Sequence, residues 1–331
     1  MTESLNGSNI LITGGLGFIG SNLAHRLVRM GANVILYDAL LEGYGGNLAN
    51  IEEIKDKVNV VIGDVREYDK LKTIIKEDCI DIIYHCAAQV SRIVSMSDPI
   101  LDIEINCIGT INVLEAARNS GNNEIKIIYT GSRAATGYAR YLPVDEETLP
   151  EPADVYGVNK LAGELYCKVY YKTYGLKTVT LRLNNCYGPR AQLKNPAYGV
   201  INWFIRLALE DKTITVHEPG TQLRDYVYIE DVIDALLLAA QYNNVYGETL
   251  YVGSEKPVSL IDLANLILKL AGSGKVKIVP HPPEWKQIEI GDFYVDCTKI
   301  KRKLRWKAKT SLKEGLMKTI NFYKRRLPEY I

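Results

Sequence analysis

Short apolar runs alternate with longer stretches in which apolar residues recur every three or four positions, and this alternation persists through about residue 185. Asn9-Ile10-Leu11-Ile12-Thr13 and Asn33-Val34-Ile35-Leu36-Tyr37 read as buried strands, and so do residues 58–62, 80–84, 125–130 and 178–183. Phe18, Ile19, Leu23, Leu27 and Val28 carry a helical period up to a stop at Gly31, and residues 100–119 and 155–174 read as further helices. Strands that are apolar throughout need cover on both faces, so the pattern predicts an α/β fold, a Rossmann-type doubly wound parallel sheet. Beyond residue 190 turns and aromatics become denser, as in Asn195-Pro196-Ala197-Tyr198-Gly199 and His281-Pro282-Pro283. We therefore expect residues 1–185 to form the Rossmann domain. Residues 186–331 are expected mainly to build a smaller α/β lobe over the sheet's carboxyl edge, with some later segments returning to the first domain and no flexible linker.

The first strand runs directly into Gly14-Gly15-Leu16-Gly17-Phe18-Ile19-Gly20, where a helix begins. Glycines at 14, 17 and 20 let backbone N–H groups and a helix N-terminus approach a pyrophosphate. The second strand ends at Asp38, where a carboxylate accepts hydrogen bonds from an adenosine ribose and repels a 2′-phosphate. The expected cofactor is NAD rather than NADP.

Val155-Tyr156-Gly157-Val158-Asn159-Lys160 places a phenol and an ammonium one helical turn apart. A cation there favours phenolate, and a phenolate can take a proton from an alcohol while hydride leaves the same carbon. Ser132, at the end of a strand, either donates to the reacting hydroxyl or caps a turn. His85 reads as packing at a strand end.

The 331 residues include 40 basic and 39 acidic side chains, a net charge of +1, which gives no support to a nucleic-acid or membrane partner. The segment Met1–Gly7 lacks the basic and apolar regions of a signal peptide, and a cytoplasmic location is expected. Six scattered cysteines (79, 86, 107, 167, 186, 297) read as buried reduced thiols, and no metal site is expected.

Taken together, the glycine loop, Gly63-Asp64-Val65, His85-Cys86-Ala87-Ala88-Gln89, Asn106-Cys107-Ile108-Gly109-Thr110, Ser132, Tyr156 with Lys160, Asn185-Cys186-Tyr187-Gly188-Pro189-Arg190, Arg224-Asp225-Tyr226 and Lys303-Leu304-Arg305-Trp306 resemble the extended short-chain dehydrogenases/reductases that act on nucleotide sugars. The resemblance implies a catalytic set of Ser132, Tyr156 and Lys160. It puts Asp64 and Val65 beside adenine and lines the cofactor cleft with Ala87, Ala88 and Gln89. Asn106 either contacts the cofactor or shapes the helix near the tyrosine. On the substrate side it implies Asn185 and Arg224 on the diphosphate, with Ser91 and Arg190 as further contacts; read from the residues alone, Arg224 could equally pair with Asp225 or another acid, and Asn185 could cap the turn before Gly188-Pro189.

The implied partner is a nucleotide-diphosphate sugar. The implied reaction is a transient oxidation to a keto-sugar, most readily a UDP-hexose 4-epimerisation. The segment Ala87–Ser91 is also similar to CDP-tyvelose 2-epimerases, so a 2-epimerase stays open, as do a decarboxylase, a reductase and, lower, a non-catalytic NAD sensor. Dehydratases of this group carry an Asp-Glu pair after the hydroxyl residue, and here Arg133-Ala134 stands instead, which ranks a dehydratase below an epimerase. Relatives place an aromatic where Thr136 stands, and the smaller residue is expected to enlarge the pocket; they place an Arg where Glu289 stands, and this acid is expected to repel a diphosphate, so that either Lys286 or Arg190 supplies the second cation or the loop faces another way. The helices at 100–119 and 155–174 are expected to pair across a homodimer.

Overall fold

The computed structural model describes residues 4–331; residues 1–3, part of the segment read above for a leader, lie outside the described residues. In chain order the first half contains β1 (Asn9–Thr13), α1 (Phe18–Arg29), β2 (Asn33–Asp38), β3 (Val58–Ile62), α2 (Tyr68–Glu77), β4 (Ile82–His85), α3 (Arg92–Ser97), α4 (Pro99–Ile103), α5 (Gly109–Arg118), β5 (Lys126–Ser132), α6 (Val155–Tyr174) and β6 (Lys177–Leu183). The second half contains β7 (Asn185–Tyr187), α7 (Val200–Leu209), β8 (Thr213–His217), β9 (Leu223–Tyr228), α8 (Ile229–Gln241), β10 (Thr249–Val252), β11 (Pro257–Ser259), α9 (Leu260–Ala271), β12 (Lys275–Val279), α10 (Pro283–Lys286), α11 (Thr298–Leu304) and α12 (Leu312–Arg326).

Seven strands form one parallel sheet in the order β10-β6-β5-β4-β1-β2-β3. The order reverses between β1 and β4, which opens a crevice at their carboxyl ends. Alternate residues feed opposite faces. Ile10, Ile12, Val34, Leu36, Ile82 and Ile128 belong to one core, whereas Leu11, Ile35, Tyr37, Ile83, Ile127 and Tyr129 belong to the other. Both faces are therefore apolar, which is why the strands read as continuous hydrophobic runs.

Three-stranded (β11-β9-β7) and two-stranded (β12-β8) sheets follow in the second half. Their core residues Phe204, Ile214, Tyr226, Leu263 and Ile267 join the same cluster as Ile10 and Ile12. One hydrophobic core thus runs under both halves, and β10 leaves the second half to pair with β6.

Three expectations need correction. The helix at 100–119 is interrupted by a π-helical turn at Glu104–Ile108, because the Asn106 amide is drawn inward to the Gln89 carbonyl (2.9 Å) and the Asp102 carboxylate (3.0 Å). Cys79 is exposed, on a left-handed turn between α2 and β4, while all six cysteines are free thiols. Thr136 does not enlarge a pocket; it is fully buried, its hydroxyl bonded to the Tyr251 phenol and to Arg182 (3.3 Å), so a ring from β10 fills the space. Among the described residues, no helix is long and apolar enough to cross a membrane.

Arg182 on β6 is itself buried against Glu164 of α6, with bonds of 2.8 and 3.0 Å, and the Thr249 hydroxyl donates to the same carboxylate at 2.9 Å. Removing one member strands the other charge between sheet and helix. Glu164→Ala should therefore lower the unfolding free energy by about 3–5 kcal/mol in urea titration. A loss below about 1 kcal/mol, the range of exposed pairs, would show that Arg182 reaches water.

Candidate active site

The glycine turn between β1 and α1 is too close-packed for side chains. A Cβ at Gly14, where φ is +67°, would lie 2.7 Å from the Ala87 nitrogen, and one at Gly20 would lie 2.3 Å from the Gly14 carbonyl oxygen. Gly17 caps α1 with no side-chain hydrogen bond, so the first-turn N–H groups remain available to an anion. Asp38 closes β2 and braces this turn, accepting from the Leu16 N–H at 3.0 Å and the Leu40 N–H at 2.9 Å. These features fit the pyrophosphate and ribose of a dinucleotide.

The turn forms one end of a cleft of about 480 Å³. Of the residues expected to contact cofactor or substrate, Gly14, Gly17, Phe18, Ile19, Gly20, Asp38, Asp64, Val65, Ala87, Ala88, Ser132, Tyr156, Lys160 and Asn185 line it. The second half supplies the opposite wall, including Tyr198, Tyr226 and Trp285. Asp64 is clamped by Arg66, with bonds of 3.0 and 2.7 Å from its guanidinium.

Gln89, Ser91 and Asn106 are not brought to the cleft. They are buried one layer behind it, around Asp102, whose carboxylate accepts from Gln89 Nε2 (2.6 Å), Asn106 Nδ2 (3.0 Å) and Asn159 Nδ2 (2.7 Å). Ser91 caps α3 instead, accepting from the Val94 N–H at 3.2 Å. Arg190 turns away from the cleft through a left-handed backbone (φ +71°) and binds the Asn50 carbonyl (3.2 Å) and Asn22 Oδ1 (3.0 Å). Arg224 donates to the Leu223 carbonyl at 2.9 Å and to the Gly291 carbonyl, and pairs with Glu289. Glu289 therefore neutralises Arg224 rather than facing a diphosphate directly. His85 is packed between Thr13 (2.7 Å) and Thr110 (3.1 Å), and burial depresses its pKa to about 3.

Tyr156 opens α6, whose N-terminus is fixed by Asp154 accepting from the Gly157 N–H (2.8 Å) and by Ser95 accepting from the Tyr156 N–H (3.0 Å). Burial pushes the Tyr156 phenol up to about 12, against the opposing pull of Ser132 and, more weakly, the Arg133 cation. Lys160 is only 2% exposed, its Nζ 4.3 Å from the Tyr129 ring centre, and burial drops it to about 8. The expected lowering of the phenol is thus reversed in the protein alone, because desolvation outweighs the hydrogen bond and the charges around each group.

Two cleft residues were given no contact role from the sequence. Arg133 and Arg92 both line the cleft with Ser132. Arg133 had a visible signal, since it follows Ser132 directly. Asp102 had none: it sits within an amphipathic helix as any solvated acid would.

A sequence profile of the family described as GDP-mannose 4,6 dehydratase matches residues 11–319. UDP-glucose 4-epimerase of Mycolicibacterium smegmatis is 32% identical over 320 residues, covering 96% of this chain and 98% of that protein. The chain belongs to the extended short-chain dehydrogenase/reductase family of nucleotide-sugar epimerases and dehydratases. CDP-paratose 2-epimerase of Salmonella typhi is 30% identical over 334 residues, covering 93% of this chain and 97% of its own. Among solved structures, the Thermus thermophilus UDP-glucose 4-epimerase in complex with NAD superposes with a TM-score of 0.84 at 29% identity, covering 96% of this chain and 99% of that one.

Burial of Lys160 has a thermodynamic consequence whose sign follows from the shift. Its folded pKa lies below the unfolded value, so the unfolded chain binds the extra proton between about pH 8 and 10.5, and stability rises with pH across that window. Lys160→Met should stabilise the cofactor-free protein by roughly 1–3 kcal/mol at pH 7, a gain that fades by about pH 10.5. A gain that does not change with pH, measured by urea titration, would mean the ammonium is not the source.

Proposed function

We propose that this protein is an NAD-dependent nucleotide-sugar epimerase, and that its reaction is the 4-epimerisation of a nucleoside-diphosphate hexose. The observation that carries the reading is the meeting of Ser132, Tyr156 and Lys160 on one cleft with the glycine turn, where Arg133 and Ala134 supply no carboxylate. NAD, when bound, accepts a hydride from the sugar and returns it. Tyr156 takes the hydroxyl proton as the sugar is oxidised and gives it back to the opposite alkoxide, with Ser132 orienting the same oxygen. Lys160 is the buried cation that binds and orients beside the phenol. Returning hydride to the other face of the keto-sugar needs no further acid or base, whereas expelling water does, and the two residues after Ser132, Arg133 and Ala134, supply neither carboxylate. Asn185 is the proposed contact to the substrate diphosphate. A 2-epimerase is the second reading, supported by the CDP-paratose 2-epimerase relative.

The proposed assembly is a homodimer. Ile100, Ile103, Ile108, Val158, Leu165 and Val169 are all exposed along α4, the π turn and α6, an apolar face larger than isolated surface residues account for.

Turnover of UDP-, CDP- and GDP-linked sugars in heavy water tests the reaction: an isomer of unchanged mass is expected, and loss of water or carbon dioxide would refute it. Tyr156→Phe should cut turnover at least ~100-fold while NAD binding, followed by protein fluorescence, is kept. Light scattering on the eluting protein should give twice the chain mass, and Leu165→Glu with Val169→Glu should reduce it to one; a wild-type monomer would remove the dimer.

A further inference from the structure

Among the described residues, the charges at the substrate end of the cleft do not cancel. Arg92 pairs with Asp154, and Arg224 pairs with Glu289. Arg133 lies among these groups, and among the described residues it has no acid partner of its own. Its Nε donates to Asn185 Oδ1 at 3.0 Å and its guanidinium lies 5.3 Å from the centre of the Phe293 ring. The side chain is thereby held in place, while among the described residues no acceptor meets its two terminal nitrogens. Glu289 offsets some of this charge, but its carboxylate is committed to Arg224 and to the Gly291 N–H (3.1 Å). A fixed, planar pair of donors with one unbalanced positive charge is suited to a bidentate oxyanion.

The place of the charge decides which oxyanion. Arg133 follows Ser132 in the chain and lines the cleft together with Ser132 and Tyr156, which places it at the reacting end of the substrate. We infer that Arg133 binds a carboxylate carried on the sugar ring, and that the substrate class is a nucleoside-diphosphate uronate rather than a neutral hexose. This rests on the epimerase reading and narrows it. It also bears on the product. Oxidation at C4 makes the C6 carboxylate β to a ketone, from which the C5–C6 bond breaks, its electron pair passing into an enolate as CO2 leaves. An ion pair with guanidinium holds the negative charge on the carboxylate and opposes that transfer, so the uronate leaves epimerised and intact.

Calorimetric binding and turnover of glucose and glucuronate linked to UDP and to CDP test this on the NAD-loaded protein. The expected result is at least tenfold tighter binding of the uronate by the wild type. Arg133→Met should lower kcat/KM on the uronate at least 30-fold more than on the neutral sugar, with Arg133→Lys recovering part of the preference. Equal wild-type affinity for both sugars overturns the inference without recourse to any variant. Equal loss on both sugars, together with loss of free UDP binding and retained NAD binding, assigns Arg133 to the diphosphate and also overturns it. If the uronate binds preferentially through Arg133 but is not isomerised, the carboxylate site stands and the epimerase reading falls. Isomerisation of neutral sugars with no uronate preference gives the reverse.

Discussion

The site depends on one buried carboxylate. Asp102 is inaccessible to water, and its oxygens collect amide donors from three elements: Gln89 after β4, Asn106 in the π turn and Asn159 in the first turns of α6. These bonds fix the segment that carries Ser91 and α3 against the helix that carries Tyr156 and Lys160. Asp102 also provides nearby negative charge for the buried Lys160 ammonium. A carboxylate with fewer donors would be too costly to bury, and without it the π turn has no reason to form. Gln89 and Asn106 therefore act by position, one layer behind the cleft.

How much of this could be read from the chain divides along a physical line. Backbone period is local, and the strand β3 and the helix α6 fall on the expected residues because their patterns and caps lie within them. The glycine turn was legible for the same reason, since close backbone approach leaves a mark in composition. Side-chain direction is not local. Arg190 and Arg224 occupy motif positions, yet each is turned by a partner distant in sequence: Asn22 for the first and Glu289 for the second. The Glu289 substitution was visible, but its consequence depended on which way Arg224 faced. Thr136 shows the same limit, because the ring that occupies its surroundings comes from Tyr251, over a hundred residues later.

Electrostatics in the cleft is set by desolvation before it is set by pairing. Tyr156 is raised and Lys160 lowered, each toward its neutral form, so the protein by itself holds the pair away from the phenolate–ammonium state. The Arg133 guanidinium pulls the phenol the other way, more weakly than burial pushes it up.

The seventh strand of the main sheet comes late. β10 ends at Val252, 69 residues after β6 ends at Leu183 (252 − 183), and until it arrives the outer edge of β6 has no partner. At ribosomal speeds of roughly 5–20 residues per second that edge stays open for several seconds. An unpaired edge invites pairing with another chain. Nascent chains of this protein thus pass through a window in which the order of synthesis, rather than the final energy, governs whether they pair correctly, and the intervening α7–α8 segment is what must fold quickly enough to close it.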